Sequence, residues 1–331
     1  MISPHRSTDN RVTVAPAEED VLEFARAVGV GLTDTPRWLP CRYLYDARGS
    51  ELFEQITKQP EYYPTRTEAR ILARYAHEIR KLTGPVTLIE LGSGSSAKTD
   101  ILLRAYARSG DPVHYVAVDV SDSILKHARA VIAERYPSVT MSPVVGTYGE
   151  AFPLFRRASP AMALFLGSTI GNFNQTESAW FWEKVSGNTP AGDFFLLGVD
   201  LVKDTAILEA AYNDAAGVTA QFTSNLFVRM NRELGSTIDV SAIEHVAKYN
   251  ADWRRMEIFA RFHKTQTIDV KPLDRSHIVT AGEQIMIEIS RKFSVEDLSE
   301  FVRYFGFRVV RAFTDDRDWV AVLLLQKGDE E

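Results

Sequence analysis

Val86-Thr87-Leu88-Ile89-Glu90-Leu91-Gly92-Ser93-Gly94-Ser95-Ser96 reads as a short apolar strand that runs into a glycine turn. Glycines at 92 and 94 let the backbone turn tightly and let a ligand approach where a Cβ would stand. The next stretch, TDILLRAYARSG (99–110), has helical spacing. The first turn of a helix offers unpaired N–H groups to an anionic group, and Lys98 adds a charge there for a ligand carboxylate. HYVAVDV (114–120) is a second buried strand. Asp119 near its end places a carboxylate where it can accept both hydroxyls of a ribose.

Outward from this centre the pattern repeats. SDSILKHARAVIAERYP (121–137) is a helix with Ser121 as N-cap. VTMSPVVG (139–146), AMALFLGST (161–169) and DFFLLGVDL (193–201) are further strands, with the helical ESAWFWEKVSG (177–187) between the last two. Strands alternating with helices predict an α/β fold with a mainly parallel, doubly wound sheet. At the other end, SVEDLSEFVRYFG (294–306) is a helix capped by Ser294, with Asp297 at the capping-box position. FRVVRAFT (307–314) and WVAVLLLQK (319–327), joined by DDRD, form a β-hairpin.

Two regions break the alternation. Residues 202–290 read as an inserted lobe. It holds a long helical stretch (203–234), then two strand-like runs, MEIFARFHKTQTIDV (256–270) and EQIMIEISRKF (283–293), separated by a turn-rich stretch. Residues 19–82 hold helices over 19–32 and 66–82. The aromatic, proline-rich stretch between those helices has little period and suggests a wall over a ligand pocket. Together, 19–82 and 202–290 are expected to form a substrate lobe beside a cofactor domain of 83–201 and 291–331. Residues 1–18 read as a flexible polar tail.

Composition narrows the function. The 331 residues carry a net charge of -6, which does not favour a nucleic-acid partner. No apolar run approaches a membrane span, and the first twenty residues have no signal-peptide core. Cys41 is the sole cysteine and the histidines lack HxxxH or HxH spacing, so no metal site is expected. A cytosolic monomer acting on a small molecule is the expectation.

Taken alone, the glycine turn leaves two cofactors open. GSGSSA (92–97) fits the loose GxGxx(G/A) pattern of dinucleotide binding, with Asp119 at a tolerable distance. Glu90, two residues before the first glycine, instead resembles the (E/D)xGxG motif of methyltransferases. The C-terminal hairpin resembles the class I methyltransferase fold, which uses S-adenosylmethionine. Longer stretches carry a closer likeness. PEYYPTRTEA (60–69), FLGSTIGNF (165–173), LVKDTAILEAAYNDAAGVTAQF (201–222), EHVAKYN (244–250) and IEISRKF (287–293) resemble the histidine-specific α-N-methyltransferases of ergothioneine biosynthesis.

The resemblance implies S-adenosylmethionine contacts at Gly92, Lys98, Asp119, Thr147 and Tyr148. The family pattern has an acidic residue where this chain has Thr147, whose hydroxyl is a weaker partner for the adenine amino group. For L-histidine and its partly methylated forms, the resemblance points to Tyr62, Asn172, Tyr212, Glu288 and Ser290. Asn172 follows the fourth strand, at the sheet edge where ligands bind in such folds, and its amide can hold an amine or carboxylate. Tyr62 and Tyr212 can donate to a carboxylate. Glu288 and Ser290 share one strand face and interrupt an apolar run, where a carboxylate needs a partner. An imidazole N–H is one partner, with Ser290 on the other ring nitrogen; an ion pair with Arg291 or Lys292 is the alternative. Ile258 stands at a wall position where some members carry methionine. Tyr45, in RYLYD (42–46), is expected to hold a water near the amine. Tyr45, Phe53 and Tyr62 are candidate aromatic faces for a quaternary ammonium product. The implied activity is trimethylation of the α-amino group of L-histidine to hercynine; a methyltransferase of the same fold acting on another amino acid is the alternative.

Overall fold

The computed structural model describes residues 16–94, 96 and 98–329. The expected tail lies outside the described residues up to position 15, and residues 16–18 already belong to α1 (Pro16–Thr33). There follow α2 (Ala47–Ile56), α3 (Pro64–Thr83), β1 (Thr87–Leu91), α4 (Thr99–Ala107), β2 (Val113–Asp119), α5 (Asp122–Arg135) and β3 (Val139–Val145). Next come α6 (Tyr148–Ala158), β4 (Ala161–Phe165), α7 (Gln175–Asn188), β5 (Phe194–Asp200), α8 (Thr205–Tyr212) and α9 (Val218–Leu234). The chain closes with β6 (Ile243–Asn250), β7 (Arg255–Phe262), β8 (Gln266–Val270), β9 (Arg275–Val279), β10 (Gln284–Arg291), α10 (Val295–Tyr304), β11 (Phe307–Thr314) and β12 (Val320–Lys327).

A seven-stranded sheet has the order β11-β12-β5-β4-β1-β2-β3. β3, β2, β1, β4 and β5 are parallel, and β12 is antiparallel to both β5 and β11. This is the doubly wound sheet with a C-terminal hairpin that the alternation predicts. Every residue of β4 and β5 is buried, which explains their unbroken apolar runs: a parallel sheet covered on both faces has no solvent side to alternate with. Ile89, Phe165, Phe181, Trp182, Phe195, Phe307 and Leu323 belong to one core cluster. The strand order switches direction between β1 and β4, where open α/β sheets place their ligands.

The chain divides into two compact units. One comprises residues 54–218, 247–257 and 289–331, and contains the large sheet. The other comprises the described residues up to 53, with 219–246 and 258–288. In this second unit α1 packs on β8, β9 and the turn between them, and Phe24, Val28, Phe227, Phe262, Ile268 and Val270 are buried. The division does not follow the expected 82/83 and 201/202 boundaries. α3 falls in the sheet unit because it packs on β12, β5 and β11, burying Ile71, Leu72, Ala76 and Ile79. α8 falls there too.

Several elements differ from the sequence reading. The stretch between α1 and α3 contains α2, which the dense aromatics and prolines obscured. The helical run 203–234 breaks at 213–217, where Gly217 takes φ +68° and the Asp214 carboxylate accepts Val218 N–H at 2.7 Å. MEIFARFHKTQTIDV is two strands, β7 and β8. β6 and β9 are further strands the reading did not assign. Ser121 and Ser294 both cap their helices, accepting Ile124 N–H at 3.5 Å and Asp297 N–H at 3.0 Å. The Asp297 carboxylate takes Arg254 at 2.6 Å rather than completing a capping box; its side chain is one methylene shorter than the usual glutamate.

Candidate active site

The glycine turn lies beyond β1 in the sheet unit. Gly92 and Gly94 have φ of +70° and +49°, the left-handed region that favours glycine. A Cβ at Gly92 would meet the Tyr148 hydroxyl at 3.3 Å, while one at Gly94 would meet nothing within 4 Å among the described residues. The turn is tied to β2: Gly92 and Ser93 N–H donate to Val118 O, and Gly94 N–H donates to Asp119 Oδ2 at 2.9 Å. Asp119 Oδ1 accepts Ser121 N–H at 2.9 Å. Each carboxylate oxygen has capacity for a second donor, so Asp119 can fix the loop and still accept ribose hydroxyls. Ser93 Oγ is buried with no hydrogen-bond partner among the described residues. A buried hydroxyl without a partner is uncommon, and a polar ligand in the turn would satisfy it.

Glu90 is buried. It accepts Thr99 Oγ1 at 2.5 Å and the Tyr115 hydroxyl, joining β1 to the first turn of α4 and to β2. Burial pushes its pKa up to about 7, against the lowering effect of those two hydrogen bonds.

Lys98 forms an ion pair with Glu68 of α3 at 2.5 Å. The buried Glu68 carboxylate also accepts Gly167 N–H at 2.8 Å and 3.0 Å. Gly198 in β5 makes room for it: a Cβ there would lie 1.8 Å from Glu68 Oε1. The sequence reading missed Glu68, which stands in the quoted PEYYPTRTEA run and looks like any helix carboxylate. With one of its three N–H groups on Glu68, Lys98 keeps donors for a ligand carboxylate.

Thr147 precedes α6. Its N–H and hydroxyl both donate to Glu150 Oε2, at 2.7 Å and 3.2 Å. The hydroxyl hydrogen is thereby spent; its oxygen also accepts Glu150 N–H in a capping box, which leaves one lone pair to accept from an amino group. Tyr148 packs edge-on against Phe165 at 5.3 Å. Asn172, half-buried, ends a single turn of 3-10 helix (Thr169–Asn172) beyond β4.

A second cluster sits at the end of β5. Asp200 is fully buried and meets two ammonium groups, Lys203 at 2.5 Å and Lys292 at 2.9 Å, and accepts the Tyr63 hydroxyl at 2.8 Å. Burial opposes its charge, but the two lysines outweigh it and hold the carboxyl below its ordinary value. Burial lowers Lys203 to about 8 despite Asp200. Lys292 goes the other way: burial opposes its charge, and Asp200 and Tyr212 more than compensate. Lys292 donates to Tyr212 at 3.0 Å and to Ser290 Oγ at 2.9 Å, and the Tyr212 hydroxyl donates to Ser290 at 2.8 Å. Tyr62 lies against Tyr212, ring centroids 6.3 Å apart.

The structure therefore brings Tyr62, Tyr212 and Ser290 into one cluster. There the Tyr212 hydroxyl donates to Ser290. Lys292, one alternative partner for Glu288, is held by Asp200, and Arg291 stacks on Phe293 at 5.3 Å. Sequence reasoning missed Tyr63, Asp200 and Lys203, each of which passes for a strand end or a loop charge. Glu288, half-buried in β10, and Ile258, buried in β7, belong to the second unit. So do Tyr45 and Phe53, which meet at 5.5 Å and share a third ring, Phe222, at 5.3 Å and 6.2 Å. Tyr62, grouped with them in the sequence reading, lies in the sheet unit. No group of His, Cys, Asp or Glu among the described residues is arranged to hold a metal, and no helix there is long and apolar enough to cross a membrane.

A doubly wound sheet with a C-terminal hairpin, a glycine turn after β1 and an acidic residue ending β2 define a class I, S-adenosylmethionine-dependent methyltransferase. Residues 24–327 match the family described as "Histidine-specific methyltransferase, SAM-dependent", and the chain belongs to that family. It is 42% identical to a Histidine N-alpha-methyltransferase of Mycolicibacterium smegmatis over 88% of this chain and 90% of that one. It is 40% identical to the protein of the same name from Mycobacterium tuberculosis, over 89% and 92%. The Ergothioneine biosynthesis protein 1 of Neurospora crassa is 32% identical over 88% of this chain and 33% of its own length. Family membership sets aside the dinucleotide alternative.

Proposed function

We propose that this protein transfers methyl groups from S-adenosylmethionine to the α-amino group of L-histidine until it is trimethylated, giving hercynine as the first step of ergothioneine biosynthesis. The observation that carries this is the 42% identity to a Histidine N-alpha-methyltransferase along most of both chains. The glycine turn fits the cofactor: among the described residues there is open space at Gly94 and no hydrogen-bond partner for the Ser93 hydroxyl. In this reading Asp119 accepts the ribose hydroxyls, Lys98 meets the cofactor carboxylate, Gly92 admits the backbone approach, and Thr147 and Tyr148 hold the adenine. Thr147 suits an amino group because its hydrogen is already donated to Glu150.

When bound, S-adenosylmethionine supplies an electrophilic methyl on its sulfonium. The chain's part is alignment and exclusion of water, which can supply much of the rate. Asn172 and Tyr62 hold the amino-acid end, and Ser290 and Glu288 recognise the imidazole. An α-amine has a pKa of about 8 in model peptides, so a modest local shift delivers it unprotonated and no strong base is required. Tyr45 holds a water near the amine, and with Phe53 supplies aromatic faces for the growing cation.

The test is mass spectrometry and NMR of L-histidine incubated with the enzyme and S-adenosylmethionine, beside a panel of other amino acids. Mono-, di- and trimethylated products carrying methyl on the α-nitrogen alone are expected. Methyl on a ring nitrogen, or faster turnover of another amino acid, would overturn the reading.

A further inference from the structure

Lys292 follows β10, and its side chain is 1% exposed. An ammonium carries three N–H donors and accepts nothing. Here the three have three acceptors: Asp200 Oδ2 at 2.9 Å, Ser290 Oγ at 2.9 Å and the Tyr212 oxygen at 3.0 Å. Both hydroxyl oxygens therefore receive a hydrogen from Lys292.

The Tyr212 and Ser290 oxygens are also bonded to each other at 2.8 Å, with Tyr212 as donor. Ser290 Oγ then accepts two hydrogens, from Lys292 and from Tyr212, and a hydroxyl oxygen has two lone pairs. Its own hydrogen is the one not used within the triangle. In this direction the Ser290 oxygen is filled, so Ser290 itself can only donate.

We propose that Lys292 is a specificity-positioning residue: with Tyr212 it fills the Ser290 oxygen, so fixes Ser290 as a hydrogen-bond donor toward the substrate, and thereby selects a side-chain ring that presents a lone pair. This rests on the reading above, in which Ser290 meets the imidazole. A neutral imidazole has one nitrogen that accepts and one that donates. A pyrrole or indole ring has only an N–H, which would meet the Ser290 hydrogen head-on. Sites built to hydrogen-bond a substrate atom reject analogues lacking it far more strongly than apolar pockets reject a change of size. Lys292 reaches the substrate only through the two hydroxyls and takes no part in methyl transfer.

Asp200 is what keeps this ammonium in a buried place. It also keeps a variant foldable. Without Lys292, Asp200 retains the Lys203 cation and the Tyr63 hydroxyl, so its charge stays paired. Methionine at 292 preserves the length of the side chain and removes all three donors. The two hydroxyls can then turn either way and offer a lone pair as readily as a hydrogen.

The experiment compares three acceptors of similar ring size. L-Histidine has both ring functions, 4-thiazolylalanine only the accepting nitrogen, and pyrrolylalanine only the N–H. Relative kcat/KM is measured for wild type, Lys292→Met and Ser290→Ala, with melting temperature on the same preparations. Wild type is expected to favour thiazolylalanine over pyrrolylalanine by at least about tenfold. Lys292→Met is expected to reduce that ratio to within about threefold of unity. Ser290→Ala, which leaves the Lys292–Asp200 pair in place, is expected to reduce it likewise and keeps the proposal testable should Lys292→Met fold poorly. A Lys292→Met protein with a lowered melting temperature and an unchanged ratio would overturn the proposal and make Lys292 structural, as would an unchanged ratio in Ser290→Ala. Wild type that methylates histidine but shows no preference between the analogues defeats only the Lys292 assignment. Wild type inactive on histidine defeats the underlying function as well.

Discussion

Asp119 shows how one carboxylate serves both the fold and a ligand. Its two oxygens pin Gly94 and Ser121 at 2.9 Å each, and what capacity remains faces the cofactor in the proposed reading. Asp119→Ala is expected to weaken S-adenosylhomocysteine binding by roughly 1.5–3 kcal/mol, the scale of a charged hydrogen bond, with the sheet still folded. Calorimetry showing unchanged affinity would end the ribose assignment. Glu288 is the corresponding test for the substrate. Its alternative role is an ion pair with Arg291 or Lys292. Glu288→Ala is expected to lower kcat/KM for histidine at least tenfold, about 1.4 kcal/mol, with little change in S-adenosylhomocysteine affinity. A variant that loses melting temperature but keeps its preference for histidine over tryptophan would instead make Glu288 structural. Single residues of this kind were legible in the sequence where a motif isolates them, as the glycine turn does for Asp119. Asp200, Lys203 and Lys292 were not. Each is an ordinary charge in its own segment, and only the fold makes three buried ions of them.

At the level of elements, the parallel sheet could be read because covered strands are short unbroken apolar runs between helices of clear period. The same logic failed where that contrast was missing. α2 lies in a stretch whose aromatics follow no helical repeat, and β6 and β9 carry Lys248, Arg275 and His277 among too few apolar residues to stand out. The bonds between elements were the least visible. Glu90 marks the cofactor motif in sequence, yet its side chain holds β1 to α4 and β2 through Thr99 and Tyr115. That role predicts a pH dependence. The ordinary value for such a carboxyl is 4.5, and burial raises it to about 7 in the folded protein. Below pH 4.5 both states keep the proton. Between 4.5 and about 7 the unfolded chain releases it while the folded protein holds it, so stability from this group falls as pH rises through that window. Glu90→Gln cannot titrate. Its melting temperature relative to wild type is therefore expected to rise between pH 4.5 and 7 and then level off. A difference that stays flat across the window would show that Glu90 ionises normally.

For the whole molecule, the path of the chain between the two units carries the argument. The divisions fall at 53/54, 218/219, 246/247, 257/258 and 288/289. These positions lie within α2, at the first residue of α9, and within β6, β7 and β10 respectively. None is in an exposed linker of the kind that usually separates independent domains. Unfolding either unit must then break hydrogen bonds in helices and strands that continue into the other. One cooperative transition is expected in calorimetry, although the chain forms two compact units. The proposed cofactor site offers a way to test this, because the glycine turn, Asp119 and Thr147 all belong to the sheet unit. A ligand that binds only the folded state at about 100 times its Kd adds about 2.7 kcal/mol. If the units melt together, S-adenosylhomocysteine will raise the single transition as a whole, with calorimetric and van't Hoff enthalpies remaining equal. If they melt separately, the ligand will split the profile, moving the sheet unit upward and leaving residues 16–53, 219–246 and 258–288 at their original temperature. Hydrogen exchange at the same ligand concentration gives an independent reading. Cooperative coupling protects the slowest amides of α9 and β8 along with those of β1 and β5, whereas independent units would confine the added protection to the sheet.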